Sequence, residues 1–170
     1  MPGQVPREPE RREGGGGGAD GVRQAFPAAR ILTRPVADGG EGTLSALVAR
    51  GGRATTISAA GPLGIPRDTQ IVEWRDSIFI ELAAICGISL LQPTAETALS
   101  ATSLGLGHAI RAAGELRQRR IVITLGGSAS TDGGAGALAG LGFILRDADG
   151  RPLLGHRCRR RPTLPSARIC

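Results

Sequence analysis

The chain contains no lysine and no tyrosine, and aromatic side chains make up only 2% of its 170 residues. It has no apolar run of about 18 residues, the length that a membrane-spanning helix needs. It also lacks the basic segment followed by an apolar one that typifies a secretory signal. These absences argue against a membrane span and against secretion, and we expect a cytoplasmic protein. The hydrophobic content of 41% is ordinary for a globular domain.

Cysteine and histidine are too few for a metal centre or a disulfide framework. The three cysteines are Cys86, Cys158 and Cys170, with no CxxC pair among them, and the two histidines are His108 and His156. A structural zinc site or a small disulfide-linked fold needs more such residues at closer spacing. We therefore expect neither. Cys86 lies in an alanine-rich apolar segment and is expected to be a small buried hydrophobic residue.

Two common nucleotide-binding motifs are also missing. The chain has no GxxxxGK[ST] sequence, so it is not expected to form a P-loop. Gly105 and Gly107 are separated by one residue, but neither a third glycine nor an acidic partner follows at the spacing of a dinucleotide-binding fold. A Rossmann-type oxidoreductase is therefore a poor interpretation.

The net charge of +6 lies entirely near the carboxyl terminus. Residues 151–170 hold six arginines and no acid, so residues 1–150 hold the other fifteen basic residues and all fifteen acidic ones. The run at 157–161 could contact phosphate, but without stacking aromatics or a known binding fold we do not expect nucleic acid as a partner. We expect a disordered or unrelated segment over 1–20, an α/β core over 21–150, and a basic irregular tail over 151–170.

The most informative segment runs from Ile121 to Gly136. A short β-branched apolar run there leads into a loop of small, hydroxyl-bearing and acidic residues, which is how a parallel sheet builds an anion site. The glycines let backbone N–H groups approach a ligand closely, the hydroxyls can donate hydrogen bonds, and Asp132 is the one charged side chain of the loop. The candidate phosphate-binding residues of this loop are Gly126, Gly127, Ser128, Ser130, Thr131, Gly133 and Gly134.

A second loop of the same character covers residues 35–43. It contains Asp38, Gly39, Gly40 and Glu41, and it lies between a predicted strand and a predicted helix. Because ligands bind at the carboxyl ends of strands in such sheets, we expect the two loops to face one cleft. Each loop taken alone fits an ordinary strand-to-helix turn equally well.

Strand and helix patterns alternate along the chain. That order predicts an α/β fold with a mixed or parallel sheet and flanking helices. Gly105 and Gly107 fall inside a predicted helix, where each costs about 1 kcal/mol relative to alanine, so we expect a ligand or backbone to approach closely there. The predicted strands are 29–36, 53–60, 71–74, 77–82, 120–125 and 143–145, and the predicted helices are 43–49, 96–114 (one or two helices) and 133–141.

Five segments, taken in order, carry a resemblance to a known family. They are PVADGGEGT at 35–43, GPLG at 61–64, ELAAICGI at 81–88, ATSLGLGHAI at 101–110 and GGSASTDGGAGALAGLG at 126–142. Together they resemble the glycerate kinase family, which phosphorylates glycerate with ATP. The resemblance covers roughly residues 20–150. It implies part of a longer, two-domain α/β architecture with the substrate between the domains.

The resemblance also implies D-glycerate as the substrate, with ATP and Mg²⁺. Phosphoryl transfer needs a carboxylate to position or deprotonate the attacking hydroxyl, and Mg²⁺ prefers carboxylate oxygens. Asp38 and Asp132 are the candidate catalytic residues. We favour Asp38 near the substrate and Asp132 near the phosphate or the metal, although either could be the base. The resemblance favours the 2-phosphate product over the 3-phosphate product.

Three further residues keep two interpretations each. Ser103 could line the pocket or cap a helix, Glu41 could bind substrate or complement a helix dipole, and Glu81 could reach the cleft or face solvent. The family's DSFKGS-like segment, with its lysine, is missing from this sequence. A non-catalytic, phosphate-binding remnant of a kinase is therefore the alternative to an enzyme impaired by truncation.

Overall fold

A computed structural model describes residues 11–33, 36–116 and 120–152, in two compact units that divide between Val36 and Ala37. None of the described helices is long and apolar enough to cross a membrane. The helices are α1 (Arg11–Ala25), α2 (Thr43–Val48), α3 (Leu82–Cys86), α4 (Ala95–Ser100), α5 (Leu104–Gly114) and α6 (Ala135–Leu141), with a 3₁₀ turn at Ile88–Leu90. The strands are β1 (Arg53–Ala60), β2 (Pro66–Trp74), β3 (Ser77–Glu81) and β4 (Arg120–Thr124).

The first unit contains α1, which begins inside the segment 1–20 that was expected to be disordered or unrelated to the core. Residues 1–10 lie outside the described part, so that expectation stays a prediction. Arg23 favours the helix in two ways. It forms an ion pair with Asp20 at an N–O distance of 2.7 Å. It also lies in the last turn, where a positive charge complements the helix dipole. The strand predicted over 29–36 is wrong in its described part. The N–H of Ala29 instead closes a turn onto the carbonyl of Phe26 at 2.9 Å, and residues 29–33 pair with no described strand.

The second unit is built on a four-stranded mixed sheet in the order β1-β2-β3-β4. β1, β2 and β3 pair antiparallel, and β4 lies parallel to β3. The antiparallel strands follow one another directly along the chain, whereas α3, α4 and α5 lie between the parallel strands, as a crossover connection requires. The predicted α/β class with a mixed sheet is therefore confirmed.

Three predicted elements differ from the structure. β2 begins at Pro66 rather than at residue 71, because it pairs with β1 along the whole length of β1. The chain turns into α3 directly after β3 instead of extending the strand. Residues 143–145 do not form a strand, since the N–H of Phe143 bonds to the carbonyl of Leu138 and ends α6.

α5 packs across the sheet, and the apolar core lies between them. Two glycines allow this close approach. A Cβ on Gly105 would collide with the carbonyl oxygen of Ala60, and a Cβ on Gly107 would collide with that of Ala137 in α6. The predicted close approach near these glycines is confirmed, and the neighbour is backbone. The buried core residues are Ala59, Ile71, Ile78, Ile80, Leu82, Ile85, Cys86, Leu106, Ala109 and Ala113.

Candidate functional site

The two glycine-rich loops meet at the carboxyl ends of the parallel strands β3 and β4. Glu81, the last residue of β3, pairs in the sheet with Thr124, the last residue of β4. Just after β4, the N–H of Gly126 donates a hydrogen bond of 3.0 Å to the carbonyl oxygen of Gly39. The two loops therefore adjoin each other, and the shared cleft expected from the sequence stays a prediction.

The contact between the loops leaves no room for a side chain. A Cβ on Gly126 would lie 2.6 Å from the Cα and 2.7 Å from the nitrogen of Gly40. Gly39 has a φ of 87°, which residues with a side chain rarely adopt. Glycine is thus required at 126 by the close approach and at 39 by the backbone conformation.

Asp38 and Glu41 are the acidic residues of the first loop, and both are exposed. The Oδ1 atom of Asp38 accepts a hydrogen bond from the N–H of Gly40 at 3.0 Å, which fixes the turn. α2 begins at Thr43 with Gly42 as its N-cap, and it has no acid in its first turn. The interpretation of Glu41 as a first-turn acid is therefore wrong.

The acid that complements the start of α2 is Glu81, which is only 4% exposed. Its Oε2 accepts a hydrogen bond from the N–H of Leu44 at 2.8 Å, and its Oε1 accepts one from the N–H of Gly42 at 3.2 Å. These N–H groups have no acceptor within the helix itself. The sequence signal for this role is an acid that directly ends an apolar strand.

Asp132 lies between the starts of α5 and α6. Its carboxylate accepts backbone N–H bonds from Ser103 at 2.8 Å and from Gly134 and Gly136 at 3.1 Å each. The Ser103 hydroxyl lies 3.0 and 2.9 Å from the two oxygens, and the Thr102 hydroxyl lies 3.4 Å from one of them. A carboxylate has about four lone-pair positions, so these donors already occupy the group.

The charge of Asp132 is stabilised by the same donors. Partial burial raises the pKa of Asp132, but the hydrogen bonds from Ser103, Gly134 and Gly136 outweigh burial and hold that pKa below its ordinary value. The carboxylate is therefore ionised at neutral pH and serves as a fixed acceptor. The catalytic and metal-binding roles expected for Asp132 from the sequence fit this enclosed geometry poorly.

Ser103 is only 3% exposed, and its hydroxyl is used within the protein. Besides its contact with Asp132, its Oγ accepts a hydrogen bond from the N–H of Ala137 in α6 at 2.9 Å. It makes no side-chain cap for its own helix, α5. Ser103 therefore joins α5 to α6, a role that neither interpretation from the sequence included.

The second loop is held against the segment that follows α3. The N–H of Ala129 donates to the carbonyl of Cys86 at 3.0 Å, and the N–H of Ile88 donates to the carbonyl of Gly127 at 2.9 Å. Burial is the main influence on the Cys86 thiol and raises its pKa to about 11, so Cys86 is not a nucleophile at neutral pH. Its expected role as a buried apolar residue is confirmed.

The hydroxyl groups of the second loop lie nearer the surface. Ser128 and Thr131 are exposed, and Ser130 is half-buried. The Oγ atoms of Ser128 and Ser130 lie 3.3 Å apart, and the hydroxyl of Thr131 donates to the carbonyl of Ala98 at 3.4 Å. These hydroxyl groups therefore lie beside the backbone of the second loop, whose Gly126 contacts the acidic loop.

The sequence model of the glycerate kinase family matches residues 18–161. The chain belongs to the glycerate kinase family. It is 40% identical over 136 residues to a glycerate 2-kinase of Escherichia coli K12, which is 78% of this chain and 36% of that relative. It is 40% identical over 133 residues to a glycerate kinase of Bacillus subtilis 168, covering 76% and 35% of the two chains.

A solved structure agrees with this assignment. The crystal structure of a Salmonella typhimurium LT2 protein assigned as glycerate kinase 2 is similar to this chain with a TM-score of 0.62 at 42% identity. The similarity covers 79% of this chain and 37% of the Salmonella chain. The chain thus spans about a third of the length of the glycerate kinases that it matches.

Both loops, α5 and α6 lie inside the region that matches the glycerate kinase family. The match begins close to residue 21, where the core was predicted to start, and continues past Gly150. The segment predicted as a basic tail, 151–170, is described only at residues 151 and 152. The contacts that join the two loops therefore belong to the family part of the chain.

Proposed function

We propose that this chain carries part of the site at which a glycerate kinase transfers a phosphoryl group from ATP to D-glycerate. The main support is the 3.0 Å bond between the Gly126 N–H and the Gly39 carbonyl. That bond brings a hydroxyl-bearing glycine loop against an acidic glycine loop. Phosphoryl transfer uses these two kinds of group side by side, donors for the phosphate oxygens and a carboxylate for the attacking hydroxyl.

In this proposal the second loop binds the phosphates. Glycine-rich backbone at the end of a strand can direct several N–H groups at one anion, and the hydroxyls beside it add donors. The N–H groups of Gly126 and Gly134 already bond to Gly39 and to Asp132, so these two glycines contribute their backbone shape and not a donor. The residues proposed to surround the phosphates are Gly126, Gly127, Ser128, Ser130, Thr131 and Gly133.

The first loop faces the acceptor hydroxyl of D-glycerate. Asp38 is the proposed base or orienting group, because it is exposed on this loop whereas Asp132 is enclosed by donors. Gly39, Gly40 and Glu41 shape the loop around it. For Asp132 we propose an anchoring role between α5 and α6 in place of catalysis.

Mg²⁺ accompanies ATP in such transfers and binds through one or two carboxylates together with the phosphates. Asp132 does not fit this ligand role, because N–H and O–H donors surround both of its oxygens. The exposed carboxylates of Asp38 and Glu41 do fit it. No group of three or more His, Cys, Asp or Glu residues in the described part could hold a metal alone. When bound, Mg²⁺ would offset the charge of the phosphates.

One observation favours a second candidate function, which is phosphate binding without transfer. The chain has no lysine, so an ammonium group cannot meet the charge of the transferred phosphoryl group. Loss of one preorganised donor typically costs about 2.7–4 kcal/mol of transition-state stabilisation. A protein that only binds phosphate would need the two loops but not the missing cation.

A coupled assay of ADP release by the 170-residue chain, with D-glycerate and Mg-ATP, tests the proposal. We expect turnover that depends on both D-glycerate and Mg²⁺ and is about 10²- to 10³-fold below that of a family member whose site contains the lysine, because one preorganised cation is missing. Calorimetric binding of Mg-ATP without turnover would support the second candidate. Absence of both binding and turnover would contradict both functions. The ³¹P spectrum of the product distinguishes the 2-phosphate from the 3-phosphate.

A further inference from the structure

Glu81 is a buried acid that the proposed transfer does not use directly. It ends β3, the strand beside β4, and both of its carboxylate oxygens accept N–H groups from the start of α2. The bonds reach across 39 residues of sequence to Gly42 and 37 residues to Leu44. A buried acid whose two oxygens both bind backbone N–H groups fixes the position of that backbone.

α2 depends on this outside acceptor. The helix has only six residues, which is too short to be stable without tertiary contacts. Its N-cap is Gly42, in the left-handed conformation with φ 86°, which provides no capping side chain. Glu81 takes the place of the missing cap, so the first turn of α2 is fixed relative to the end of β3.

The acidic loop is consequently held at two points. At Gly39 its carbonyl accepts the N–H of Gly126, and at Gly42 its N–H donates to Glu81. Asp38 lies directly before the first point, and its own Oδ1 is tied to the N–H of Gly40. Both anchors come from the neighbouring ends of β3 and β4, which gives the loop a defined position on the sheet.

We propose that Glu81 is a positioning residue for glycerate phosphorylation, because its carboxylate holds the 38–42 loop where Asp38 meets the acceptor hydroxyl. The proposal rests on the proposed function. The phosphate-binding loop has separate anchors, namely Asp132 and the bond from Ala129 to Cys86. A change at Glu81 therefore acts on the loop that carries Asp38 and leaves the phosphate-binding loop in place.

Two variants and one control test this separation. Glu81→Gln keeps one of the two acceptor oxygens, and Glu81→Ala removes both. The matched control is Glu115→Gln, at an exposed glutamate just after α5. Calorimetry measures the binding of D-glycerate, and of ATP without Mg²⁺, to each 170-residue variant. Amide hydrogen exchange measures how firmly the N–H groups of Gly42 and Leu44 are held.

We expect Glu81→Gln to raise the Kd for D-glycerate about tenfold, the effect of one lost charge-assisted hydrogen bond, and Glu81→Ala to raise it further. The Kd for ATP without Mg²⁺ should stay within about twofold, because the second loop keeps its anchors and no metal ion joins the nucleotide to the first loop. Exchange at Gly42 and Leu44 should be at least about tenfold faster in Glu81→Gln, with that at Ala129 unchanged. The control should change none of these values.

An equal loss of both ligands in Glu81→Gln would overturn the proposal, since a general loss of structure would explain it. Loss of the folded circular dichroism signal in Glu81→Gln would overturn it for the same reason. Unchanged exchange at Gly42 and Leu44 would also overturn it. If the wild-type chain binds neither ligand, the proposed function fails for this chain, and the exchange result alone decides whether Glu81 positions the loop.

Discussion

Replacement of Asp132 by asparagine tests whether this residue holds α5 and α6 together. The carboxylate accepts the N–H groups of Ser103, Gly134 and Gly136 at 2.8–3.1 Å, in addition to the Ser103 hydroxyl. Asparagine offers one acceptor oxygen, and its NH₂ group would face N–H donors. At least two of the four donors therefore lose their partner.

The expected loss of stability follows from those two donors. A hydrogen bond to a charged group contributes about 1.5–3 kcal/mol, so the free energy of unfolding should fall by about 3 kcal/mol or more. Urea unfolding, followed by the fluorescence of the single tryptophan, Trp74, measures this change. Asp68→Asn is the matched control, because Asp68 is an exposed acid on β2 and its removal should change stability by no more than about 0.5 kcal/mol.

A different result would support a catalytic role for Asp132 instead of an anchoring role. If Asp132→Asn costs less than about 1 kcal/mol of stability, its hydrogen bonds do not anchor the two helices. If the same variant also stops ADP release while it still binds Mg-ATP, the carboxylate acts on the transferred group. The two measurements together separate an anchoring role from the metal-binding role that the sequence suggested.

Three further predictions concern the same site. The hydrogen bonds lower the folded-state pKa of Asp132, so its contribution to stability is fully present above the ordinary value of 3.8 and is lost as the pH falls through the lowered pKa. The urea-unfolding free energies of wild type and Asp132→Asn should therefore converge as the pH falls below 3.8, and a constant gap would contradict this. Gly126→Ala should cost about 1–3 kcal/mol in thermal unfolding, because its Cβ would press on the backbone of Gly40, and an unchanged midpoint would show that the loops can separate freely. Asp38→Asn should lower kcat for glycerate phosphorylation about 10²-fold with little change in stability, and a wild-type rate in the ADP-release assay would remove Asp38 from the mechanism.

The parts of the fold that the sequence predicted well are those that local patterns determine. β1 was predicted over its whole length from alternating residues, and β4 within one residue from a β-branched apolar run. Glycine pairs indicated both loops, and the loops do meet. The strand expected over 29–36 failed because a strand needs a hydrogen-bonded neighbour, which no local pattern supplies.

The roles of the acids could not be predicted from local sequence. Asp132 and Ser103 are 29 residues apart, and Glu81 and Gly42 are 39 apart, so each contact forms only when the fold is complete. In sequence, Asp38 and Asp132 both appear as an acid beside two glycines. In the structure one is exposed on a loop and the other is enclosed by donors, because only Asp132 lies between two helix starts.

The two helices that follow the glycine loops begin in the same way, and this limits where phosphate can bind. α2 and α6 each have a glycine N-cap in the left-handed conformation, with φ 86° and 83°, and neither has a capping side chain of its own. In α2 the N-cap N–H and the second helical N–H both donate to Glu81. In α6 the corresponding two N–H groups both donate to Asp132. Since a carboxylate already occupies each helix start, we propose that phosphate binds to the backbone and hydroxyls of the loop ahead of α6.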